Sequence, residues 1–186
     1  MIGCGHPRED RDLLRRPVEH PLPPPRYAPR VRRHALPAAR SPRVNQTAFI
    51  PLAVAVLTVS DSRTEADDKS GQFLYDALSR AGHSVVAKDI VIDDVYQLRA
   101  VVSRWIADPG VRVIISTGGT GITGRDSTPE AMRPLFDKEI AGFSELFRQV
   151  SYEEIGASTI QSRCLAGLAN GTLIFCLPGS SGACRT

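Results

Sequence analysis

Cysteine is scarce in this sequence of 186 residues, and its four cysteines follow no metal-binding or disulfide pattern. Cys4, Cys164, Cys176 and Cys184 form no CxxC pair and have no histidine at zinc-ligand spacing, which excludes a cysteine-rich metal cluster. Such cysteines are typical of a reducing compartment. Long apolar runs are also missing: none approaches the roughly eighteen residues of a membrane helix, and there is no apolar signal-peptide core. We therefore expect a cytoplasmic protein with no membrane partner.

The net charge of +3 comes from one end of the chain. Residues 1–45 contain ten arginines and four acidic residues, whereas residues 46–186 contain thirteen Lys plus Arg and sixteen acidic residues. Nine of the fourteen prolines also lie before residue 46, so this segment cannot bury enough apolar surface to fold. We predict a disordered Pro/Arg-rich extension over residues 1–45 and no nucleic-acid partner for the folded part. A mitochondrial transit peptide and a start codon set too far upstream are open alternatives for that segment.

From residue 48 onward, near-continuous apolar runs alternate with stretches of helical periodicity. This alternation indicates a parallel sheet that is covered by helices on both faces. We predict strands at residues 52–59, 85–91, 111–116 and 172–177. The predicted helices cover residues 70–81, 95–107, 129–136, 139–150 and 159–169. The predicted fold class is therefore α/β, a three-layer α/β/α sandwich with a mostly parallel sheet, over residues 46–186.

The end of the chain carries a further expectation. Residues 182–186 have the composition of a first helical turn, so we expect the domain over residues 46–186 to be C-terminally truncated. The strand before them contains Leu173, Ile174, Phe175 and Leu177, so both of its faces should be apolar. Without a covering helix, part of that sheet face is expected to lie in water, which predicts poor solubility or abnormal association.

Polar segments follow four of the predicted strands at the point where each strand ends. The segments are 60–63, 93–94, 116–126 and 178–181, and they include Ser60, Asp61, Asp93, Asp94, Thr117, Gly118, Gly119, Thr120, Gly121, Pro178, Gly179 and Ser180. The carboxyl ends of parallel strands meet at one edge of a sheet, and ligands of open α/β sheets bind there. The sequence therefore predicts a composite site at this edge.

Residues 118–124 contain four glycines, which allow backbone N–H groups to approach an anion closely. The alternative is a tight turn between a strand and a helix, which an isolated glycine-rich segment usually forms. The segment also matches GxGxxG at Gly119, Gly121 and Gly124. A dinucleotide site is disfavoured, because the next helix begins only near Pro129 and the residues twenty positions further on also indicate helix. The sequence has no P-loop motif.

Aspartates at this edge are candidates for holding a divalent cation. Asp126 follows the glycines, and Mg²⁺ prefers one or two carboxylates together with substrate phosphates. Each candidate also has a structural alternative: Asp126 could complement the start of the next helix, Asp93 or Asp94 could cap the helix at 95–107, and Ser180 could cap a final turn. Because they share one edge of the sheet, these residues together favour a phosphate-bearing ligand with a metal.

Several motifs together resemble the MoaB/MogA family of molybdenum-cofactor biosynthesis proteins, in particular its MoaB branch. The most specific combination is TGGTG at residues 117–121 followed by RDSTPEA at residues 125–131. Further matches are LTVSD at 57–61, DKSG at 68–71 and PGS at 178–180. The segments typical of the branch are FSELFRQVSYEEI at 143–155 and GACRT at 182–186. The resemblance spans residues 48–186, and residues 1–45 have no counterpart in the family.

The resemblance implies a molybdopterin-binding domain that assembles as a homotrimer or a dimer of trimers. It implies molybdopterin adenylyltransferase activity, in which AMP is transferred from ATP to the terminal phosphate of molybdopterin with Mg²⁺. The catalytic and metal-binding aspartates of the family fall on Asp126 and Asp93, with Asp94 as the alternative to Asp93. The implied substrate-binding residues are Ser60, Asp61, Thr117, Gly118, Gly119, Thr120, Gly121, Thr128, Pro178, Gly179 and Ser180. A non-catalytic molybdopterin-binding protein of the same pathway is the alternative function.

Overall fold

The computed structural model describes residues 48–186, and the predicted N-terminal extension lies outside them. The strands are β1 (Ala53–Val59), β2 (Ser84–Val91), β3 (Val113–Thr117), β4 (Lys138–Glu139), β5 (Leu165–Ala169) and β6 (Thr172–Leu177). The α-helices are α1 (Lys69–Arg80), α2 (Val95–Ala107), α3 (Thr128–Met132) and α4 (Ala141–Ile155), and 3-10 helices cover Arg133–Leu135 and Gly156–Gln161. In this part of the chain, no helix combines the length and the apolar character needed to cross a bilayer.

A single six-stranded sheet has the strand order β2-β1-β3-β6-β5-β4. Strands β2, β1, β3 and β6 are parallel to one another, β5 pairs antiparallel with β6, and β4 pairs antiparallel with β5. The inner strand β1 is buried over nearly its whole length, which explains why its sequence AVAVLTV is apolar without alternation. The predicted α/β/α sandwich with a mostly parallel sheet is confirmed.

The helices cover the two faces of this sheet. Helices α2 and α3 share a buried core with one face, which contributes Ala55, Leu57, Val59, Ile114 and Ile174. On the other face, Gly71 of α1 lies against Thr58, and α4 places the Phe143 ring 5.2 Å from the Phe175 ring. The loops that follow the four parallel strands lie at the carboxyl ends of those strands, where ligands of open α/β sheets bind.

The predicted helix at residues 159–169 is wrong. Gly156–Gln161 is a 3-10 helix, and Leu165–Ala169 is strand β5, which pairs antiparallel with β6. The two strands are joined by Asn170 and Gly171, whose φ angles of 46° and 79° are those of a two-residue hairpin turn. An Asn-Gly pair between apolar segments is a strong hairpin signal, and here it outweighs the helical spacing of the apolar residues.

The other predicted elements are present, with ends that differ by a few residues. Helix α2 has the predicted bounds, whereas α4 begins later than predicted and continues to Ile155. The predicted helix at 129–136 divides into α3 and a 3-10 helix, because Pro134 lacks the N–H that a continuing α-helix needs. Strand β4 has only two residues, too few to produce a periodic signal in the sequence.

Strand β6 has apolar residues on both faces, as predicted. Ile174 and Cys176 are fully buried on one face, whereas Leu173 on the opposite face is 36% exposed. Beyond β6, the Cys184 N–H donates to the Ser180 carbonyl oxygen at 3.2 Å, which is the hydrogen bond of a helical turn. The predicted turn after the last strand is therefore present.

Candidate functional site

The loops after β1, β2, β3 and β6 meet at one edge of the sheet, as predicted. The Ser60 N–H donates to the carbonyl oxygen of Val91 at the end of β2, and the Asp93 N–H donates to a carboxylate oxygen of Asp61. On the other side, the Gly118 N–H donates to the carbonyl oxygen of Leu177 at 3.0 Å. Hydrogen bonds between neighbouring loops thus fix this edge as one connected surface.

The glycine loop after β3 has a backbone that other residues cannot adopt without strain. Gly118 and Gly119 have φ angles of 110° and 63°. A Cβ on Gly118 would overlap the carbonyl oxygen of Val59, and a Cβ on Gly119 would overlap the Thr128 hydroxyl and the Asp93 carboxylate. These two glycines are therefore required for the close packing of the loop against its neighbours, in addition to any contact with a ligand.

A pocket of about 530 Å³ opens at this edge of the sheet. Most of the predicted substrate-binding residues line it, together with one predicted aspartate: Ser60, Gly118, Gly119, Thr120, Gly121, Pro178, Gly179, Ser180 and Asp126. The opposite wall comes from α4 and the 3-10 helix that follows it. The volume suits a small organic ligand with polar groups.

Asp126 lies on the pocket wall, where donors surround its carboxylate. One oxygen accepts hydrogen bonds from the Thr123 hydroxyl at 2.6 Å and the Thr123 N–H at 2.9 Å. These hydrogen bonds, above all the one from the hydroxyl, hold the pKa of Asp126 below its usual 3.8 despite partial burial. Asp126 is therefore ionised at neutral pH and cannot serve there as a proton donor.

Asp93 and Asp94 have different surroundings. The Asp94 carboxylate caps α2 by accepting from the N–H groups of Tyr96 and Gln97. The Asp93 carboxylate instead accepts from the N–H and the hydroxyl of Ser127, and it lies beside Gly119. Asp93 is thus the one of the pair that contacts the glycine loop, although it does not line the pocket.

Three other predicted site residues hold loops in place rather than lining the pocket. The Thr117 hydroxyl donates to the Pro178 carbonyl, and the buried Thr128 hydroxyl donates to the Gly118 carbonyl. Asp61 forms a two-point ion pair with Arg125 at 2.7 and 3.0 Å, and it lines a separate shallow groove. The Arg125 hydrogen bond lowers the pKa of Asp61, so this pair stays charged at neutral pH.

The Ser180 hydroxyl has the structural role that its position suggested as an alternative. It accepts a hydrogen bond from the Ala183 N–H at 3.1 Å, which caps the turn after β6. Ser180 also lines the pocket, so its hydroxyl proton remains available to a ligand.

Arg163 supports the glycine loop from outside the pocket, and it was not predicted from the sequence. Its guanidinium donates to the carbonyl oxygens of Gly121 at 2.6 Å and Asp126 at 2.7 Å, and to the Glu130 carboxylate. Its backbone N–H also donates to the Thr120 carbonyl. Because these contacts span both ends of the segment from Gly121 to Asp126, Arg163 fixes the backbone that carries the aspartate.

The α4 side of the pocket contributes two serines that sequence reasoning also missed. Ser151 and Ser162 line the pocket, and their hydroxyl oxygens are buried and have no hydrogen-bond partner within the described residues. Burying a hydroxyl without a partner costs about 1–3 kcal/mol. A ligand with polar groups on that side would supply the missing partners. Ser151 lies in the segment at 143–155, which has no chemical pattern of its own, and Ser162 lies beyond that segment.

Within residues 48–186, no group of three or more His, Cys, Asp or Glu side chains is arranged to hold a metal ion. A metal site built from protein side chains alone is therefore not present in that part of the chain. Mg²⁺, however, needs only one or two carboxylates when substrate phosphates complete its coordination. The ionised Asp126 on the pocket wall fits a cation that is shared with the phosphates of a ligand.

Comparison with known proteins places this fold and site in a class. Residues 55–186 match the family described as a probable molybdopterin binding domain. The chain is 57% identical over 140 residues to molybdenum cofactor biosynthesis protein B of Escherichia coli K12, covering 75% of this chain and 82% of that protein. The Bacillus cereus protein of the same name is 48% identical over 131 residues, covering 70% and 78%.

Solved structures give the same result. A crystal structure of molybdenum cofactor biosynthesis protein B has a TM-score of 0.72 at 46% identity, covering 75% of this chain and 87% of that one. The tungsten cofactor synthesizing protein MoaB of Pyrococcus furiosus has a TM-score of 0.68 at 40% identity, covering 74% and 88%. The chain belongs to the MoaB/MogA family of molybdenum-cofactor biosynthesis proteins, which confirms the resemblance seen in its motifs.

Proposed function

We propose that this protein acts in molybdenum-cofactor biosynthesis by binding molybdopterin and adenylylating it with ATP and Mg²⁺. Family membership supports the pathway and the molybdopterin ligand. The transfer of AMP is supported by the site itself, which combines groups suited to phosphate chemistry. Neither support depends on the residues that precede the domain.

The observation that carries the proposal is the composition of the pocket's two walls. One wall has the glycine loop, whose backbone can come close to phosphate oxygens, together with the ionised Asp126. The other wall includes Ser151 and Ser162, whose buried hydroxyls have no hydrogen-bond partner among residues 48–186. A phosphorylated heterocycle has hydrogen-bonding groups for the second wall and a phosphate for the first. A purely apolar ligand would leave both walls unsatisfied.

The proposed reaction is a displacement at phosphorus. A terminal phosphate oxygen of molybdopterin attacks the α-phosphorus of ATP, the new O–P bond forms, the bond to the β-phosphate breaks, and pyrophosphate leaves. No electrons are exchanged with a redox partner, and a phosphate dianion needs no base to remove a proton. The protein's task is therefore to align two anionic groups and to reduce their repulsion.

Different residues in and around the pocket have different roles in this reaction. The glycine loop and the hydroxyls of Thr120 and Ser180 orient the phosphate groups through hydrogen bonds. Asp126 would hold Mg²⁺ together with substrate phosphates, and the ion would neutralise charge on the phosphate oxygens. Asp93 keeps the loop and Ser127 in register through its two hydrogen bonds. Arg163 fixes the backbone of Asp126 from outside the pocket.

A second candidate function is molybdopterin binding without catalysis. It is favoured by the position of Asp93, which does not line the pocket and whose Oδ1 accepts two hydrogen bonds from Ser127. If both candidate aspartates must reach the metal and the substrate, this arrangement brings only Asp126 of the two to the pocket wall. Both functions require molybdopterin binding, and only the enzyme requires ATP turnover.

The test measures pyrophosphate release from ATP by the full chain, with and without molybdopterin and with and without Mg²⁺. The adenylyltransferase is expected to release pyrophosphate only when all three components are present. Molybdopterin binding by fluorescence or calorimetry is measured in parallel. Binding without pyrophosphate release would reject the enzyme in favour of the binding protein, and failure to bind molybdopterin would reject both.

A further inference from the structure

Arg63, in the loop after β1, connects three parts of the site and faces the pocket. Its guanidinium donates to the hydroxyl of Ser70 in the first turn of α1 at 2.6 Å and to the carbonyl oxygen of Gly179 at 3.1 Å. About a third of its side chain (34%) remains exposed, and the residue lines the pocket. These two contacts hold the guanidinium beside the loop that follows β6.

Arg63 brings positive charge to a pocket that also contains acidic residues. Among the described residues that line it, Arg63 is the only arginine or lysine, whereas Asp126 and Glu154 are acidic. A ligand with phosphate groups would meet more negative than positive charge if Arg63 did not take part. A guanidinium has five N–H donors, and Ser70 and Gly179 use two of them. Three donors are left, and a planar fork of this kind suits phosphate oxygens.

A buried carboxylate behind Arg63 sets its orientation. Asp68 is 2% exposed, and one of its oxygens lies 3.9 Å from the guanidinium. The carboxylate also accepts from the Thr58 hydroxyl at 2.7 Å and from the Gly71 N–H at 2.9 Å. Asp68 is therefore fixed by the fold, and it partly offsets the positive charge that Arg63 presents to the pocket.

We propose that Arg63 binds a phosphate or pyrophosphate group of the ligand directly. It would supply the positive charge of an anion site formed by the glycine loop after β3 and the loop after β6 that contains Gly179. The proposal rests on the proposed function only for the identity of the ligand. That the ligand is an anion is inferred from the residues that line the pocket. The phosphate can belong to molybdopterin or to ATP. Replacing Arg63 should lower the apparent affinity for whichever of these two ligands Arg63 contacts.

The structural alternative is that Arg63 only fastens the loop after β1 to α1 and to Gly179. Four variants of the full chain separate the two roles. Arg63→Gln removes the charge, Arg63→Lys keeps the charge but loses the fork, and Asp68→Asn removes the counter-charge. In the Arg63→Gln/Asp68→Asn double variant no buried carboxylate loses its partner, so this variant is expected to fold. The asparagine oxygen can still accept from Gly71, and its NH₂ group can donate to Thr58.

The experiment measures binding of inorganic pyrophosphate by calorimetry in the presence of Mg²⁺. We expect affinity to fall about 10- to 100-fold in Arg63→Gln and in the double variant, and less in Arg63→Lys. Asp68→Asn should bind pyrophosphate about two- to five-fold more tightly, because the charge of Arg63 is no longer offset. A residue that only fastens loops would give no such gain. Arg104→Gln, which removes an exposed arginine paired with Asp89, is the control and should bind normally.

The same variants then distinguish the source of the phosphate. If Arg63 contacts ATP, the KM for ATP rises in Arg63→Gln while the Kd for molybdopterin is unchanged. If Arg63 contacts molybdopterin, the Kd for molybdopterin rises while the KM for ATP is unchanged. Unchanged pyrophosphate affinity in the folded double variant overturns the proposal. Because pyrophosphate binding needs no turnover, this result is independent of the adenylylation assay. An inactive wild-type protein that still shows the Arg63 effect would refute the proposed reaction alone.

Discussion

Replacing Arg163 tests whether the geometry of the glycine loop controls the chemistry. The guanidinium of Arg163 bridges the carbonyl oxygens of Gly121 and Asp126 and also pairs with Glu130. In Arg163→Lys the charge is kept, but a single ammonium nitrogen cannot span the same three acceptors. The segment that carries Asp126 then loses its attachment at one or both ends.

The magnitude follows from the contacts. The Glu130 side chain is 55% exposed, so its ion pair contributes less than about 1 kcal/mol. The two carbonyl contacts are hydrogen bonds to a charged donor, but water can replace part of each, so together they contribute about 2–3 kcal/mol. A displacement of about 1 Å in a group that positions substrate can cost about 10²-fold in rate. We therefore expect kcat to fall about 10- to 100-fold in Arg163→Lys, with a smaller change in molybdopterin affinity.

The assay combines AMP-transfer kinetics with hydrogen exchange of the backbone amides from Gly121 to Asp126. In the variant these amides should exchange faster while the strands of the sheet stay protected. The matched control is Arg133→Lys, which alters an equally bidentate but exposed pair with Glu139 outside the pocket. Wild-type kcat together with wild-type exchange in Arg163→Lys would refute the reasoning, because the loop would then hold its shape without the guanidinium.

Two further predictions concern the same loop. Gly118→Ala should destabilise the protein by at least about 1–3 kcal/mol in chemical denaturation, because its φ of 110° is strained for alanine and the Cβ would meet the Val59 carbonyl. Gly124→Ala, with nothing within 4 Å of its Cβ, is the control, and equal stability of the two variants would contradict the argument. Thr123→Val should raise the pKa of Asp126 towards 3.8, measured by NMR titration, whereas Thr123→Ser should not. In the wild type, the lowered pKa of Asp126 stabilises the fold above pH 3.8, and this contribution is lost as pH falls below that value. The gain in stability from acidic to neutral pH should therefore be smaller in Thr123→Val than in the wild type. An unchanged titration in Thr123→Val would exclude the hydroxyl as the cause.

The part of the site that the sequence predicts is the part that lies directly after the strands. Ser60, Gly118, Gly119, Gly121 and Ser180 all follow a strand within a few residues, Asp126 lies further along the loop after β3, and all of them line the pocket. The topology of a parallel sheet brings such residues together whatever the details of packing. A strong apolar pattern and a turn composition are sufficient for this inference.

The part that the sequence does not predict depends on long-range packing. Arg163 reaches the loop because β5 runs antiparallel from residue 165, and the sequence pattern indicated a helix there instead. Ser151 and Ser162 enter the pocket only once α4 is placed against the sheet. Similarly, only the folded backbone shows which of Asp93 and Asp94 caps α2, and in the structure it is Asp94. Adjacent aspartates have the same chemistry, so their sequence cannot separate them.

The most direct test of the proposed function is detection of adenylyl-molybdopterin by mass spectrometry, using the full chain, molybdopterin, ATP and Mg²⁺. The wild type should form this product with one pyrophosphate for each molecule made. Asp126→Ala should form it about 10²–10³ times more slowly, because one preorganised electrostatic group is lost, while molybdopterin affinity changes only a few-fold. Asp76→Asn, an acidic residue on α1 outside this pocket, should behave as the wild type. Absence of the product with wild-type protein that binds molybdopterin would contradict the proposed activity, and wild-type turnover by Asp126→Ala would contradict the role of Asp126.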